Sequence, residues 1–277
     1  MEMNKVRISV HGMRHTAGAA HNDRSNLDYV KNAHIDRTAS SENIYMTCFK
    51  DKGITFEQAE RRFYENVFSQ GVLAQNQRNN KRGQKQRNKS VSDLLRNKKT
   101  APDEFIFQIG NMEAQESWDL EMRKKMKKIL LRAALETYRD CRNGSSGFYL
   151  IDVALHMDEG VAHLHMRGTY CAKDKYGYWV PCQKRALEAS GYLRPDLSQP
   201  ISRYNNSKVT FTNYMRDVFL EKTRQLIEQY DIELKIQNIR HPVLPQKNLV
   251  MREYKRIINS ESDEKMIEKC EVERLER

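Results

Sequence analysis

The sequence predicts an α+β protein with a central, mostly antiparallel sheet, flanking helices and a charged helical C-terminal tail. Three observations carry this reading. Strand-like and helix-like hydrophobic periodicities alternate through the first 240 or so residues. Two strand-like stretches, FYLIDVALH and AHLHMRGTY, are separated by a turn containing Asp158 and Gly160, the pattern of a hairpin. Beyond Pro242 and Pro245 the chain becomes a highly charged helical pattern. A chain of 277 residues with 39% apolar content can bury a substantial core. Residues 1–242 are therefore read as one domain and 243–277 as an extension.

The elements follow in order. Lys5 to Val10 alternates as a strand, and Ala17 to Lys31 reads as a helix with Thr16 as N-cap. Asn43 to Phe49 is a strand and Thr55 to about Val72 a helix. From Arg78 to Lys99 the periodicity lapses, and nine Lys or Arg residues accompany a single acidic one, which predicts an exposed basic loop with one short helical turn near Leu94. Glu104 to Ile109 resumes as a strand, Met112 to about Arg142 reads as one long amphipathic helix, and NGSSG (143–147) breaks it before the hairpin. Asn206 to Tyr230 is a helix and Ile232 to Ile236 a last strand.

A formal charge of +11 implies a polyanionic partner. Nucleic acid is favoured over membrane, because the most apolar stretch, FYLIDVALHM, is short and carries Asp152, and MEMNKVRISV has no long apolar core. A cytoplasmic location is expected. Five cysteines without a C-x-x-C pair suggest neither a disulfide framework nor a cysteine zinc cluster.

The densest chemistry is HMDEGVAHLH, 156–165. Alternation puts His163 and His165 on one face of their strand, with Arg167 continuing that face, while Leu164, Met166 and Tyr170 point the other way into a core. A hairpin partner ending at His156 brings a third imidazole beside them, and three histidines leave coordination positions open, as a catalytic metal requires. Glu159 is a candidate fourth ligand, which keeps a structural metal in play, or a base. Small residues in AGAAHNDR allow close approach to a sheet or a DNA backbone. There His21, Arg24 and Asp28 would share a helical face, offering a nucleophile and a phosphate clamp. An unperturbed histidine titrates near pH 6.5, so attack by His21 is expected to rise through that region unless Glu159 raises its pKa.

HMDEGVAHLH resembles the H-x-D-E-x-x-P-H-x-H motif of MobV-type (Mob/Pre) plasmid mobilisation relaxases, within the HUH endonucleases. AHNDR (20–24), HIDRTASSENIY (34–45) and EFIFQIGN (104–111) are similar to further stretches of that family in the same order, so the resemblance spans most of residues 1–240. One departure is Ala162, where the family usually has proline, and its loss is expected to loosen the turn before His163.

The resemblance implies a relaxase that nicks one strand at a plasmid or mobile-element origin of transfer. Metal-dependent transesterification would leave the DNA 5′ phosphate on the protein, for conjugative mobilisation and recombination. It implies Mn2+ or Mg2+ on His156, His163 and His165, and catalysis by His21, Glu159 and Arg24, with Tyr45 or His34 as alternative nucleophiles. DNA contacts are expected from Lys81, Arg82, Lys85, Arg87, Arg37 and Asn43, and base stacking from Tyr176, Tyr178 and Trp179. The expected partners are single-stranded and hairpin DNA at the origin, other conjugation proteins, and a second copy bound through the C-terminal helix. The competing readings are a non-catalytic basic nucleic-acid-binding protein with a structural metal, and an HUH replication initiator or transposase.

Overall fold

The structure is a computed structural model that describes residues 5–14, 18–25, 35–51, 53–142 and 145–238. The expected extension 243–277, His34, Asp28 and Thr16 lie outside the described residues. Among the described residues, one seven-stranded sheet comprises β1 (Lys5–Arg14), β2 (Ile44–Thr47), β3 (Asp103–Ile109), β4 (Gly147–His156), β5 (His163–Lys173), β6 (Trp179–Pro181) and β7 (Lys235–Asn238). The order is β2-β4-β5-β3-β1-β7, with β6 paired to the far end of β5. Every pairing is antiparallel except β1 with β7. The α+β expectation therefore holds, with helices on both faces.

One face carries the main core. Val6, Ile8 and Val10 of β1, Phe105 and Phe107 of β3, Val153 and Leu155 of β4, and Leu164 and Met166 of β5 are buried in one hydrophobic cluster. It is completed by α5 (Leu120–Asp140), α6 (Gln183–Ala189) and α7 (Ser207–Gln229), which contribute Ile129, Leu187, Phe211, Met215 and Phe219. The opposite face is half apolar and half polar. Over its apolar half, α2 (Phe56–Lys81) and α3 (Val91–Arg96) bury Tyr64, Phe68 and Leu94 against Ile151 and Cys171.

A β-bulge decides which residues occupy the polar half. The register of β4 on β5 slips between Leu150 and Asp152, so Ile151 is an extra residue. Phe148 consequently faces the main core, while His156, also even-numbered, faces the other side, directly opposite His163. Asp152, Ala154 and His156 then stand beside Arg167, His165 and His163, with Glu104, Ile106 and Gln108 of β3 in the next column.

Three expectations are corrected. The helix expected over 17–31 is, within the described residues, the single turn α1 (Ala19–Asn22). It ends because Asp23 accepts the Phe56 amide at 2.7 Å and Arg24 turns into the left-handed region, φ 57°. The basic stretch 78–99 is not a loop. α2 begins on a Thr55–Gln58 capping box and continues to Lys81, a 3-10 turn covers Lys85–Arg87, and α3 starts on a Ser90–Asp93 capping box. Amide side chains replace the missing apolar contacts: Asn76 donates to the Lys89 carbonyl and accepts its amide, and Asn88 donates to Asn80. The long helix expected over 112–142 is two, α4 (Met112–Glu116) and α5, because Asp119 accepts the Met122 amide at 2.8 Å and starts a new helix.

Gly168 lies opposite Leu150, next to the bulge, where an added Cβ would meet the Tyr149 carbonyl oxygen at 2.1 Å and the Phe148 ring at 2.8 Å. Gly168→Ala is expected to cost about 1–3 kcal/mol of stability in chemical denaturation, the range for overpacked sites. An unchanged denaturation midpoint would contradict the close approach.

Candidate active site

The turn between β4 and β5 is held by side chains distant in sequence. Asn43 accepts the Met157 amide at 2.6 Å and donates to Asp158 at 2.7 Å. The Asp158 side chain, fully buried, also accepts from Ser40 at 3.0 Å and from the Arg24 guanidinium at 2.7 and 3.3 Å. Arg24 bonds Glu159 at 2.7 Å and the His21 carbonyl at 3.3 Å. At the end of the turn, Gln115 of α4 accepts the Ala162 amide at 2.7 Å and donates to its carbonyl at 3.1 Å. The turn is thus braced where the proline is missing, and the bracing uses an N–H that proline lacks. The expectation that Ala162 loosens the turn is overturned.

Each hairpin histidine has one ring nitrogen committed to an acceptor. The His156 Nε2–H faces the Asn22 carbonyl at 2.8 Å, the His163 Nδ1–H the Val161 carbonyl at 2.7 Å, and the His165 Nδ1–H the Glu104 carboxylate at 2.9 Å. Such bonds set the tautomer and leave the other nitrogen with its lone pair. In His156 and His163 these are Nδ1 and Nε2, and His156 Nδ1 and the inner Nε2 of His165 are buried without a hydrogen-bond partner. Glu159 stands among them, with Oε1 3.6 Å from His156 Nδ1 and Oε2 3.8 Å from His163 Nε2. Lone pairs therefore face lone pairs, an arrangement that calls for a cation between them. The donor atoms of His156, Glu159 and His163 lie within 4.8 Å of one another, as do those of His21, His156 and His165. The mix of imidazole nitrogen and carboxylate oxygen suits a divalent metal.

His21 reaches the cluster because Ala19 of α1 packs with Phe56 on Ala154. Its ring centroid is 6.0 Å from those of His156 and His165. Burial, with His165 and Arg24 nearby, lowers the His21 pKa to about 4, and burial with His165 lowers His156 to about 3. Both are neutral at pH 7, so the expected titration of His21 near 6.5 is corrected downward. Burial pushes Asp158 and Glu104 up, but hydrogen bonds prevail and hold both near 2, from Arg24, Asn43 and Ser40 on the first and from His165 and Asn22 on the second. Glu159 is likewise held below the usual range against its burial, chiefly by Arg24. Behind the histidines, Arg167 is clamped by Glu60 at 2.6 and 2.8 Å, beside an Asp152 carboxyl that burial pushes well up.

Other expected residues fall in varied places. Arg24 is not on a helical face with His21, and its fork is engaged by Asp158 and Glu159. Asn43, expected at DNA, uses its amide within the turn and on the Tyr45 hydroxyl at 2.9 Å. Tyr45 is 39% exposed, its ring 6.4 Å from His156, and burial raises its pKa. Arg37, Lys81, Arg82, Lys85 and Arg87 are exposed. Tyr176 and Tyr178 stack with Arg78 of α2, 4.3 and 5.9 Å from ring centre to guanidinium. Asn22, Glu104, Asp158 and Gln115 were missed as site residues; the first three lie within AHNDR, EFIFQIGN and HMDEGVAHLH, whereas nothing in the sequence marks Gln115.

No family model matches the chain, and no curated protein matches it. Among solved structures it is similar to the Mn-bound MobM relaxase domain (MOBV; Mob_Pre) with 22 nucleotides of plasmid pMV158 oriT DNA, at 16% identity and TM-score 0.46 over 91% of this chain and 99% of that one. The same domain with 23 nucleotides gives 15% identity and TM-score 0.43 over 92% and 100%. A structure described as the molecular basis of vancomycin resistance transfer in Staphylococcus aureus gives 12% identity and TM-score 0.38 over 83% and 97%. MobM belongs to the MobV family that the motifs resemble.

In the metal-free protein, the His21 ring resonances should titrate near pH 4 by NMR. A midpoint near 6.5 would contradict the burial. His21 and His156, with pKa values lowered from 6.5, bind protons more readily unfolded than folded, so stability should fall as the pH drops from about 6.5 towards 4. Stability that rises over that range would reverse the sign.

Proposed function

We propose that the chain is a MobV-type DNA relaxase. It cuts one strand at an origin of transfer by metal-dependent transesterification and keeps the 5′ phosphate covalently, in the cytoplasm, for plasmid mobilisation. The observation that carries this reading is the facing of lone pairs at Glu159, His156 and His163, with a neutral, half-buried His21 alongside. His156, His163 and His165 would hold Mn2+ or Mg2+, with Glu159 as an oxygen ligand. Such a cation supplies a Lewis acid that offsets charge on the scissile phosphate oxygens.

The chain's own residues do the rest. His21 attacks phosphorus with its lone-pair nitrogen, the P–N bond forms and the P–O3′ bond breaks. The second ring nitrogen loses its proton to solvent as the 3′ oxygen gains one. Tyr45 is the weaker candidate, because its phenol must first lose a proton from a raised pKa. Reversal rejoins the strand without ATP, since the phosphodiester energy is kept in the P–N bond. Arg24 acts by holding Asp158, Glu159 and the His21 carbonyl in register.

Affinity is assigned to the basic end of α2. Phe56 packs 6.2 Å from Tyr45 at the site, and Lys81 ends the same 26-residue helix. At 1.5 Å per residue that separation is roughly 37 Å, about 11 nucleotides of strand. Lys81, Arg82, Lys85 and Arg87 would then grip phosphates about one duplex turn from the nick, a spacing that suits a hairpin arm.

The test uses oligonucleotides tiled across the DNA on which the gene lies, incubated with Mn2+ and run on denaturing gels. Wild type and Tyr45→Phe should give a covalent band and His21→Ala none. Retarded native complexes without any covalent band would favour a non-catalytic binding protein. His163→Ala should bind DNA within about threefold of wild type yet nick at least tenfold more slowly, and equal loss of both would argue against separate grip and cut. Neutralising the four basic residues should flatten the log–log salt dependence of duplex binding by about 0.9 for each phosphate that is no longer neutralised. An unchanged slope would remove them from the interface.

A further inference from the structure

Away from the histidines, the C-terminal half of α2 covers a cavity. At Gly71 the helix meets β6 so closely that an added Cβ would lie 2.6 Å from the Trp179 carbonyl oxygen. Beyond that point α2 runs on to Lys81, and the chain returns through the 3-10 turn to Lys89, whose amide and carbonyl are held by Asn76 at 3.0 and 2.8 Å. Helix, returning chain and β6 enclose about 520 Å³, within the roughly 300–1,000 Å³ of small-molecule sites. The inner lining is apolar, with Phe68 and Leu94 buried and Val72, Val180 and Pro181 half-buried. The outer lining is basic, from the exposed Arg82, Arg87 and Lys89. The side chains of Arg82 and Lys89 make no hydrogen bond or ion pair among the described residues. Two amides in the lining are half spent. Asn79, 4% exposed, accepts from Gln75 at 2.9 Å through its side-chain oxygen, and Gln84 accepts from Arg87 at 3.2 Å. Their NH2 groups have no acceptor among the described residues.

We infer that this cavity receives one unpaired base of the DNA that the chain binds, which gives sequence reading to a region otherwise assigned only to phosphates. This rests on the reading of the chain as a DNA relaxase. An apolar floor, two NH2 donors and unpaired cations at the mouth match a nucleobase still joined to its phosphates. The faces of the base cover apolar side chains, its edge accepts from Asn79 and Gln84, and the flanking phosphates meet Arg82, Arg87 and Lys89. A fatty anion would fill the floor but leave both NH2 groups without acceptors, which is costly in apolar surroundings. Because both amides offer donors, the base is guanine, accepting at N7 and O6, or thymine, accepting at O4. Adenine and cytosine set an NH2 group of their own against them. From Phe56, beside the candidate active site, to Asn79 the helix covers about 35 Å, or about ten nucleotides of strand. The base so held is thus remote from the cut, and it fixes which stretch of DNA is presented there.

The test is an abasic scan of whichever tiled oligonucleotide the full chain binds, read by fluorescence anisotropy without added metal so that nothing is cut. Each base is removed in turn. Removal of one base, a guanine or a thymine, should weaken binding at least fivefold. Val72→Phe, which fills the floor, should bind the intact strand at least fivefold more weakly than wild type does, yet bind the strand lacking that base within twofold of wild type, which also shows that the variant is folded. If Val72→Phe does not fold, Val180→Phe fills the cavity from the opposite wall and makes the same comparison. A scan in which no base reaches fivefold, a sensitive base that is adenine or cytosine, or a penalty that persists in the filled variant would overturn the inference. The outcomes are separable from those of the nicking assay. A chain that cuts DNA without a sensitive base loses only this inference, and one that reads the base but never forms a covalent band loses only the nuclease reading. Failure to bind any strand would overturn both.

Discussion

A single buried carboxylate organises this site. Asp158 accepts hydrogen bonds from Arg24, Ser40 and Asn43, residues 134, 118 and 115 positions away, and so joins the segment carrying His21, the segment leading into β2 and the β-hairpin. A charged group out of water is costly unless its lone pairs are met, and here they are, which is why its pKa stays near 2 despite burial. The same Arg24 that meets Asp158 also fixes Glu159, so the position of the carboxylate beside His156 and His163 follows from the position of its neighbour.

That arrangement explains how several basic groups stay uncharged together. Burial and the neighbouring rings keep His156 and His163 neutral, and each donates its one ring proton to a fixed acceptor. The cost is a pocket of inward-facing lone pairs, which a divalent cation would relieve. Metal binding, nucleophile readiness and the tautomer of each ring are thus one electrostatic problem with one solution. The Arg167–Glu60 pair behind the site extends this logic inward, tying the polar end of the sheet to α2, the helix whose other end carries the basic residues.

Much of the fold was legible in the sequence, because hydrophobic periodicity reports which faces are buried. The strands of the hairpin, α7 from its Asn206 cap and the convergence of His156, His163 and His165 could all be read. What escaped depended on contacts distant in sequence. Simple alternation along FYLIDVALH puts Phe148 and His156 on the same face, and only the bulge at Ile151 separates them. The C-terminal part of α2 looked like a loop because Asn76 and Asn80 bond the returning chain instead of burying apolar surface. Asn22 and Glu104 lie in stretches similar to the family but, like Gln115, show nothing of their bonding in the local pattern, since their partners, such as Ala162 and His165, are far along the chain. The resemblance pointed to residues that the fold brings together, and the geometry makes Arg24 among them a strut between Asp158, Glu159 and the His21 carbonyl.

The central claim is that an imidazole at position 21 takes the DNA phosphate. The most direct measurement is to trap the covalent adduct with Mn2+ and single-stranded DNA, trim the DNA with nuclease, digest with trypsin and locate the modified residue by mass spectrometry. The account predicts the phosphoryl mass on His21 within residues 15–24, lost on brief acid treatment but stable in mild alkali, because a protonated P–N bond is a good leaving group. An acid-stable adduct on the peptide containing Tyr45 would contradict it.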